Sequence, residues 1–298
     1  MGLKIGINPL TWSNDDMPEL GGATPLEACL AEAKQAGYDG VELGNKFPRD
    51  AATLKPILAR HGLALVSGWY SGRLLERAPA DEIAAVESHL SLLAAMGCTT
   101  MVFAEVSGCV HGDRGTRLTR RPRLDDKGWR RLAAGLNEVA RHLQKRGVRM
   151  AYHHHMGTVI ETADEIDRLM TMTGPEVGLL LDTGHLTYAG GDPAAAARRH
   201  AQRIVHVHCK DIRREVLAKA KREDWSFLDA VLAGVFTVPG DGCVDYPNVF
   251  DALAAVGYRG WMVVEAEQDP AKAHPLTYAR MGHAYLRPLA VKMFTAAA

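Results

Sequence analysis

Val177-Gly178-Leu179-Leu180-Leu181-Asp182-Thr183-Gly184-His185 is an unbroken apolar run closed by a carboxylate, with a helix start reading directly after it. A run without polar alternation describes a strand buried on both faces, the habit of parallel sheets covered by helices. A carboxylate just beyond such a run seldom serves structure alone, because a buried charge without a partner is costly. Similar ends recur at His153-His154-His155, at His206-Val207-His208-Cys209-Lys210-Asp211 and at Glu265-Ala266-Glu267. Residues two apart on a strand share a face, so His153 pairs with His155, His206 with His208 and Lys210, and Glu265 with Glu267. Imidazoles and carboxylates ending successive parallel strands are what a divalent metal site at a barrel mouth requires.

Outward from these clusters, strand-like and helix-like segments alternate along the whole chain. The strands are read at 4–8, 40–43, 63–68, 99–104, 148–153, 177–182, 204–208 and 262–265. Alternation with amphipathic helices predicts parallel pairing through βαβ crossovers and hence an α/β fold, a single (β/α)8 TIM barrel spanning 1–298. Thr24-Pro25-Leu26-Glu27 and Thr162 with Glu165 read as capping boxes, and Asp192-Pro193 as a helix start. Gly37, Gly62, Gly97, Gly147 and Gly257 stand where helices stop before the next strand. Two stretches break the rhythm, near 108–126 and 211–245. They follow the fourth and seventh strands, on the face where barrel enzymes build their sites, and read as lid-like insertions.

The totals narrow the function classes. The 298 residues are 47% hydrophobic and 23% charged, with 35 basic and 35 acidic side chains. A formal net charge of zero offers no field for nucleic acid or anionic lipid. No apolar run reaches the ~18 residues of a membrane span. The five cysteines are scattered and form no C-x-x-C pair, so a disulfide framework is not expected and a reducing cytoplasmic location is. Walker, G-x-S-x-G and G-x-G-x-x-G signatures are absent. The arginine-rich stretch Arg114, Arg117, Arg120, Arg121 and Arg123 reads as a solvated lid face, and His154 as a solvated loop residue. Asp211 and Glu267 read as groups orienting histidines or as salt-bridge partners. Trp12, Trp69 and Trp225 lie in or near loops that follow strands, with packing their default reading and sugar stacking the alternative.

On these motifs, together with Gly6-Ile7-Asn8-Pro9-Leu10-Thr11-Trp12, His155-Met156-Gly157-Thr158 and Trp261 to Asp269, the chain resembles the xylose-isomerase-like barrel superfamily over nearly its whole length. Within that superfamily it is most similar to the branch that dehydrates 2-keto-myo-inositol in inositol catabolism. The resemblance implies one metal ligand from each of strands five to eight: His153, Asp182, His208 and Glu265. Related isomerases carry glutamate where this chain has His153, and His155 on the same face is the alternative ligand. Two carboxylates and two neutral imidazoles give a formally neutral site around a divalent ion. Mixed nitrogen and oxygen donors suit Mn2+ or Co2+, with Zn2+ or Fe2+ as alternatives, better than Mg2+ or Ca2+. The implied reaction is loss of water through an enediolate, with Glu265 or Glu267 as base and His185, His155 or Lys210 as acid. Asn8, Trp12, Glu42, Trp69, His155 and His185 are the expected contacts to a small cyclic polyol ketone. A ketose isomerase or epimerase is the second enzyme reading, and a sugar-binding barrel without turnover the non-enzyme one. An abasic-site endonuclease would need a basic DNA track that the neutral charge does not supply. A homo-oligomer is a weaker expectation, drawn from related barrels.

Overall fold

The computed structural model describes residues 4–295 and closes eight parallel strands into a barrel, in the order β1-β10-β7-β6-β5-β4-β3-β2. These are β1 (Lys4–Ile7), β2 (Gly40–Leu43), β3 (Ala64–Gly72), β4 (Thr100–Glu105), β5 (Arg149–His153), β6 (Val177–Asp182), β7 (Ile204–Cys209) and β10 (Trp261–Val264). Two short strands, β8 (Asp211–Ile212) and β9 (Phe236–Thr237), form a separate antiparallel ribbon. The barrel strands fall where the sequence places them, except that β3 runs on to Gly72. The helices are α1 (Leu26–Gln35), α2 (Ala51–His61), α3 (Pro79–Ala95), α4 (Asp126–Lys145), α5 (Ala163–Met172), α6 (Thr183–Ala189), α7 (Pro193–Arg199), α8 (Arg214–Glu223), α9 (Phe227–Leu232), α10 (Tyr246–Ala255) and α11 (Pro275–Thr295).

Two periodicities build the core. On β6, Val177, Leu179 and Leu181 pack outward against helices, while Leu180 joins Val102 and Ala151 inside the barrel. On α4, Leu132, Leu136, Val139 and Leu143 recur at helical spacing and enter the same outer layer. Polar residues at the inward positions of β5, β6, β7 and β10 are therefore directed to one place, the C-terminal end of the barrel. A register shift between β6 and β7 after Leu179 brings Asp182 opposite His208, which pairs on its other side with Val263.

The helix punctuation is partly as expected. Thr162 and Glu165 form a reciprocal capping box, and Asp192 accepts the amides of Ala194 and Ala195. The glycines at 37, 62, 97, 147 and 257 all adopt left-handed φ. The Thr24–Glu27 box does not form. Pro25 is the N-cap, which moves Thr24 outside the helix and leaves Glu27 to pair with Arg60 and His61.

Both insertions lie at the C-terminal face of the barrel. Phe227, Val231 and Phe236 of the second pack with Leu118 of the first onto Met156 and Tyr188, which follow β5 and β6. The Leu118 amide donates to the Trp225 carbonyl at 3.3 Å, Arg114 pairs with Asp229 at 2.6 Å, and Thr119 bonds Asp224 at 2.7 Å. The arginine stretch is not wholly solvated: Arg121 is buried, 3.3 Å from Glu161 and 2.7 Å from Glu165, because those two carboxylates can satisfy a desolvated guanidinium.

Candidate active site

His153 closes β5, Asp182 closes β6, His208 is next to last on β7, and Glu265 follows β10. The structure brings these four together, buried, with one possible ligand atom from each within 4.8 Å of the others. Asp182 Oδ2 lies 3.5 Å from His153 Nε2 and 3.6 Å from His208 Nδ1, and the Glu265 carboxylate touches His208 Nδ1. His153 Nε2 and Asp182 Oδ2 have no hydrogen-bond partner, and His208 Nδ1 meets only carboxylate oxygens. Buried polar atoms are nearly always satisfied, so two orphans facing one another beside His208 and Glu265 fit a cation. His155 stands outside this group and falls instead with His185 and Glu267.

The ligand atoms are aimed by their neighbours. Asp182 is the N-cap of α6: its Oδ1 accepts the His185 amide at 2.7 Å, which leaves Oδ2 facing the imidazoles. Glu42, next to last on β2, accepts at Oε1 from Ser67 (2.5 Å), His206 Nε2 (2.9 Å) and His208 Nε2 (3.1 Å), and at Oε2 from Asn8 (2.8 Å). Donation from Nε2 leaves Nδ1 as the His208 nitrogen that faces Asp182 and Glu265. Burial raises the Glu42 carboxyl, but His208 and His206 outweigh it and hold it well below the usual range. Glu42 and Asn8 both line the cavity, with the Glu42 oxygens engaged by these donors and Asn8 Oδ1 accepting the Leu10 amide at 2.9 Å. Glu42→Gln is expected to weaken divalent-metal binding about 10- to 100-fold by metal titration, with the fold retained by circular dichroism. Unchanged affinity would remove Glu42 from this role.

A second cluster adjoins the first. Lys210 is fully buried, with Nζ 2.9 Å from Glu265 Oε1, 2.6 Å from Glu267 Oε2 and 2.9 Å from His185 Nε2. Its stem lies so close to Gly184 that a Cβ there would stand 2.5 Å from Lys210 Cγ. Burial raises the Glu265 carboxyl, but His208 and Lys210 dominate and hold it at about 2. Burial pushes Glu267 up to about 7 against Lys210, with Glu265 and Asp16 adding to the rise. His155 is kept neutral by burial and by neighbouring His111 and His153, and its Nδ1 bonds the Met156 carbonyl at 2.8 Å.

Above both clusters opens a cavity of about 260 Å³. Glu42, His155, His208, Glu265 and Glu267 line it from the barrel, with Asn8, Trp69 and Ser71 beside them and Asp15, Asp16, Asn45, Arg49 and His111 from loops. His153, Asp182, His185 and Lys210 are buried and are not among its lining residues. Trp12 is not a cavity residue either: it is 1% exposed in the outer core, and its indole N–H is spent on Glu32 at 2.6 Å. Trp69 is 36% exposed and edges onto His153 and His155. His154 is fully buried, not solvated, and its Nε2 accepts the Asp182 amide at 3.2 Å. Asp211 orients no histidine. It accepts the amides of Ile212, Gly240 and Val244 and holds the turn after β9. Asp15, Asp16, Asn45, Arg49 and His111 are residues that sequence reading missed. They stand in irregular loops, where no periodicity marks a face.

Fold and site together define a (β/α)8 barrel in which two histidines, an aspartate and a glutamate gather in a buried group able to hold a metal ion, beneath a polar cavity. Residues 30–289 match the family model of the xylose isomerase-like TIM barrel. The chain is 54% identical over 290 residues to the rhizopine catabolism protein MocC of Rhizobium meliloti, covering 97% of this chain and 89% of that one. It is 46% identical to the inosose dehydratase of Geobacillus thermodenitrificans and 43% to that of Glaesserella parasuis, with at least 96% of each chain covered in both cases. A solved L-ribulose 3-epimerase shares the fold with a TM-score of 0.70 at 19% identity, over 99% of this chain and 97% of that one. The chain belongs to the xylose isomerase-like TIM barrel family.

Proposed function

We propose that this chain is an inosose dehydratase of inositol catabolism, removing water from 2-keto-myo-inositol. The observation that carries this reading is identity of 42–46% along nearly the full length of several proteins named inosose dehydratase. We take the chain as one barrel domain, with the two insertions acting as lids over the cavity. His153, Asp182, His208 and Glu265 would hold a divalent cation, Mn2+ or Co2+ before Zn2+ or Fe2+. When bound, such a cation supplies Lewis acidity toward a ketone oxygen and the negative charge that grows on it.

The chain's own groups do the rest. Glu267 lies outside the ligand group yet lines the cavity, so it is placed to take the proton α to the carbonyl. His155 is the one of the three acid candidates that lines the cavity, but its ring proton is on Nδ1, donated to Met156, so Nε2 accepts from the β-hydroxyl and orients it, and the proton for its departure comes from Glu267. The proton taken by Glu267 returns to that hydroxyl. One C–H and one C–O bond break, an enol forms and relaxes to the dione, and water leaves. Lys210 and His185, buried behind Glu267, position it and do not touch substrate. Trp69 covers an apolar face of the ring. Among the described residues no helix is long and apolar enough to cross a membrane, and all five cysteines are free, in keeping with a cytoplasmic setting.

Metal-replete protein incubated with 2-keto-myo-inositol is expected to generate an enone-type ultraviolet chromophore. Conversion without a chromophore would favour epimerisation, and binding without conversion a silent sugar-binding barrel. Either would overturn the dehydratase reading.

A further inference from the structure

We infer that His111, carried by the first insertion, is a specificity-determining residue that hydrogen-bonds a ring hydroxyl of the polyol. This rests on the dehydratase reading. The His111 ring lines the cavity, and its Nδ1 has no hydrogen-bond partner. Its neighbours are ring edges: His155 with centroids 4.9 Å apart, and Trp69 and Phe227 at 6.5 Å each. A phenyl ring would make the same contacts, so packing alone does not call for a histidine; Nδ1 is enclosed, and Nε2, which no described residue bonds, is the nitrogen open to the cavity.

The placement is built, not incidental. Val110 donates to the Gly157 carbonyl at 2.9 Å. Gly157 has φ +79°, and a Cβ on it would stand 2.9 Å from the His111 amide nitrogen. The Gly157 turn that follows His155 therefore holds the insertion backbone at a fixed height above the chemistry. His111 stands with polar Asp15, Asp16 and Arg49 among the loop residues of the cavity, away from the buried ligand group. A hydroxylated ring with its carbonyl at His208 and Glu265 would present its remote hydroxyls to these loops. A site that hydrogen-bonds a hydroxyl rejects analogues that lack it.

The test compares parent, His111→Phe and His111→Asn in steady-state turnover of 2-keto-myo-inositol and of its monodeoxy analogues, with melting temperatures recorded. His111→Phe keeps the ring edges and is expected to raise KM about tenfold, with kcat within about threefold of the parent. His111→Asn, which restores a hydrogen-bonding group, should recover most of the loss. One monodeoxy analogue should cost the parent the same tenfold and cost His111→Phe nothing further, a readout that survives a modest loss of stability. Parental KM in His111→Phe, no recovery in His111→Asn, or equal penalties for every analogue in both proteins would each overturn the inference. A parent inert toward 2-keto-myo-inositol would fell the dehydratase reading and this inference with it.

Discussion

Exhaustive removal of divalent metal is expected to lower turnover of 2-keto-myo-inositol by at least about 10³-fold, the rate equivalent of the several kcal/mol a Lewis acid contributes to such a transition state. Restoring one metal at a time should recover activity, most fully with Mn2+ or Co2+. The same titration has a readout independent of catalysis. Nε2 of His153 and Oδ2 of Asp182 are buried without hydrogen-bond partners, so the metal-free protein leaves them unsatisfied. Each metal that binds should therefore raise the melting temperature in proportion to the logarithm of its concentration over Kd. Parental turnover by protein verified as metal-free would end the case for a metal centre.

The second large effect separates the two glutamates after β10. Glu265 touches His208 and Lys210 within the ligand group, whereas Glu267 bonds Lys210 and lines the cavity outside it. Glu265→Gln should lose both bound metal and turnover. Glu267→Gln should lose about 10²–10⁴-fold in kcat, the usual worth of a general base, while keeping the metal stoichiometry of the parent. Lys210 retains Glu265 as a counter-ion in the second variant, so its fold should survive. Metal analysis beside kcat decides the assignment: a Glu267→Gln protein with parental kcat would return the base role to another group. A Glu265→Gln protein with full metal content would remove Glu265 from the ligands.

The ligand residues were legible because each ends an apolar strand, and alternation on a strand needs no tertiary information to say which residues share a face. His206, His208 and Lys210 could be grouped that way, as could Glu265 with Glu267. The same rule could not choose between His153 and His155. Both project to one side, and only the point where β5 ends sets one deep beside Asp182 and the other at the cavity wall. Sequence reading places Glu42 at the substrate but does not show which donors saturate it. Its pairing with His206 and His208 joins residues 164 and 166 apart in sequence, and no local pattern encodes which inward groups meet across a barrel. Trp12 was misplaced for the same reason, since its partner Glu32 lies on α1.

Strand and helix periods and glycine stops determined the barrel from sequence alone, and apolar runs ended by imidazoles and carboxylates marked the strand ends where polar groups gather, because these are properties of neighbours along the chain. Which imidazole sits in the group, which carboxylate is saturated by donors, and which loop residues reach the cavity were decided by closure of the sheet and by the docking of the two insertions. Those contacts join residues brought together only when the barrel closes, and their geometry depends on depth and register that a linear pattern does not carry.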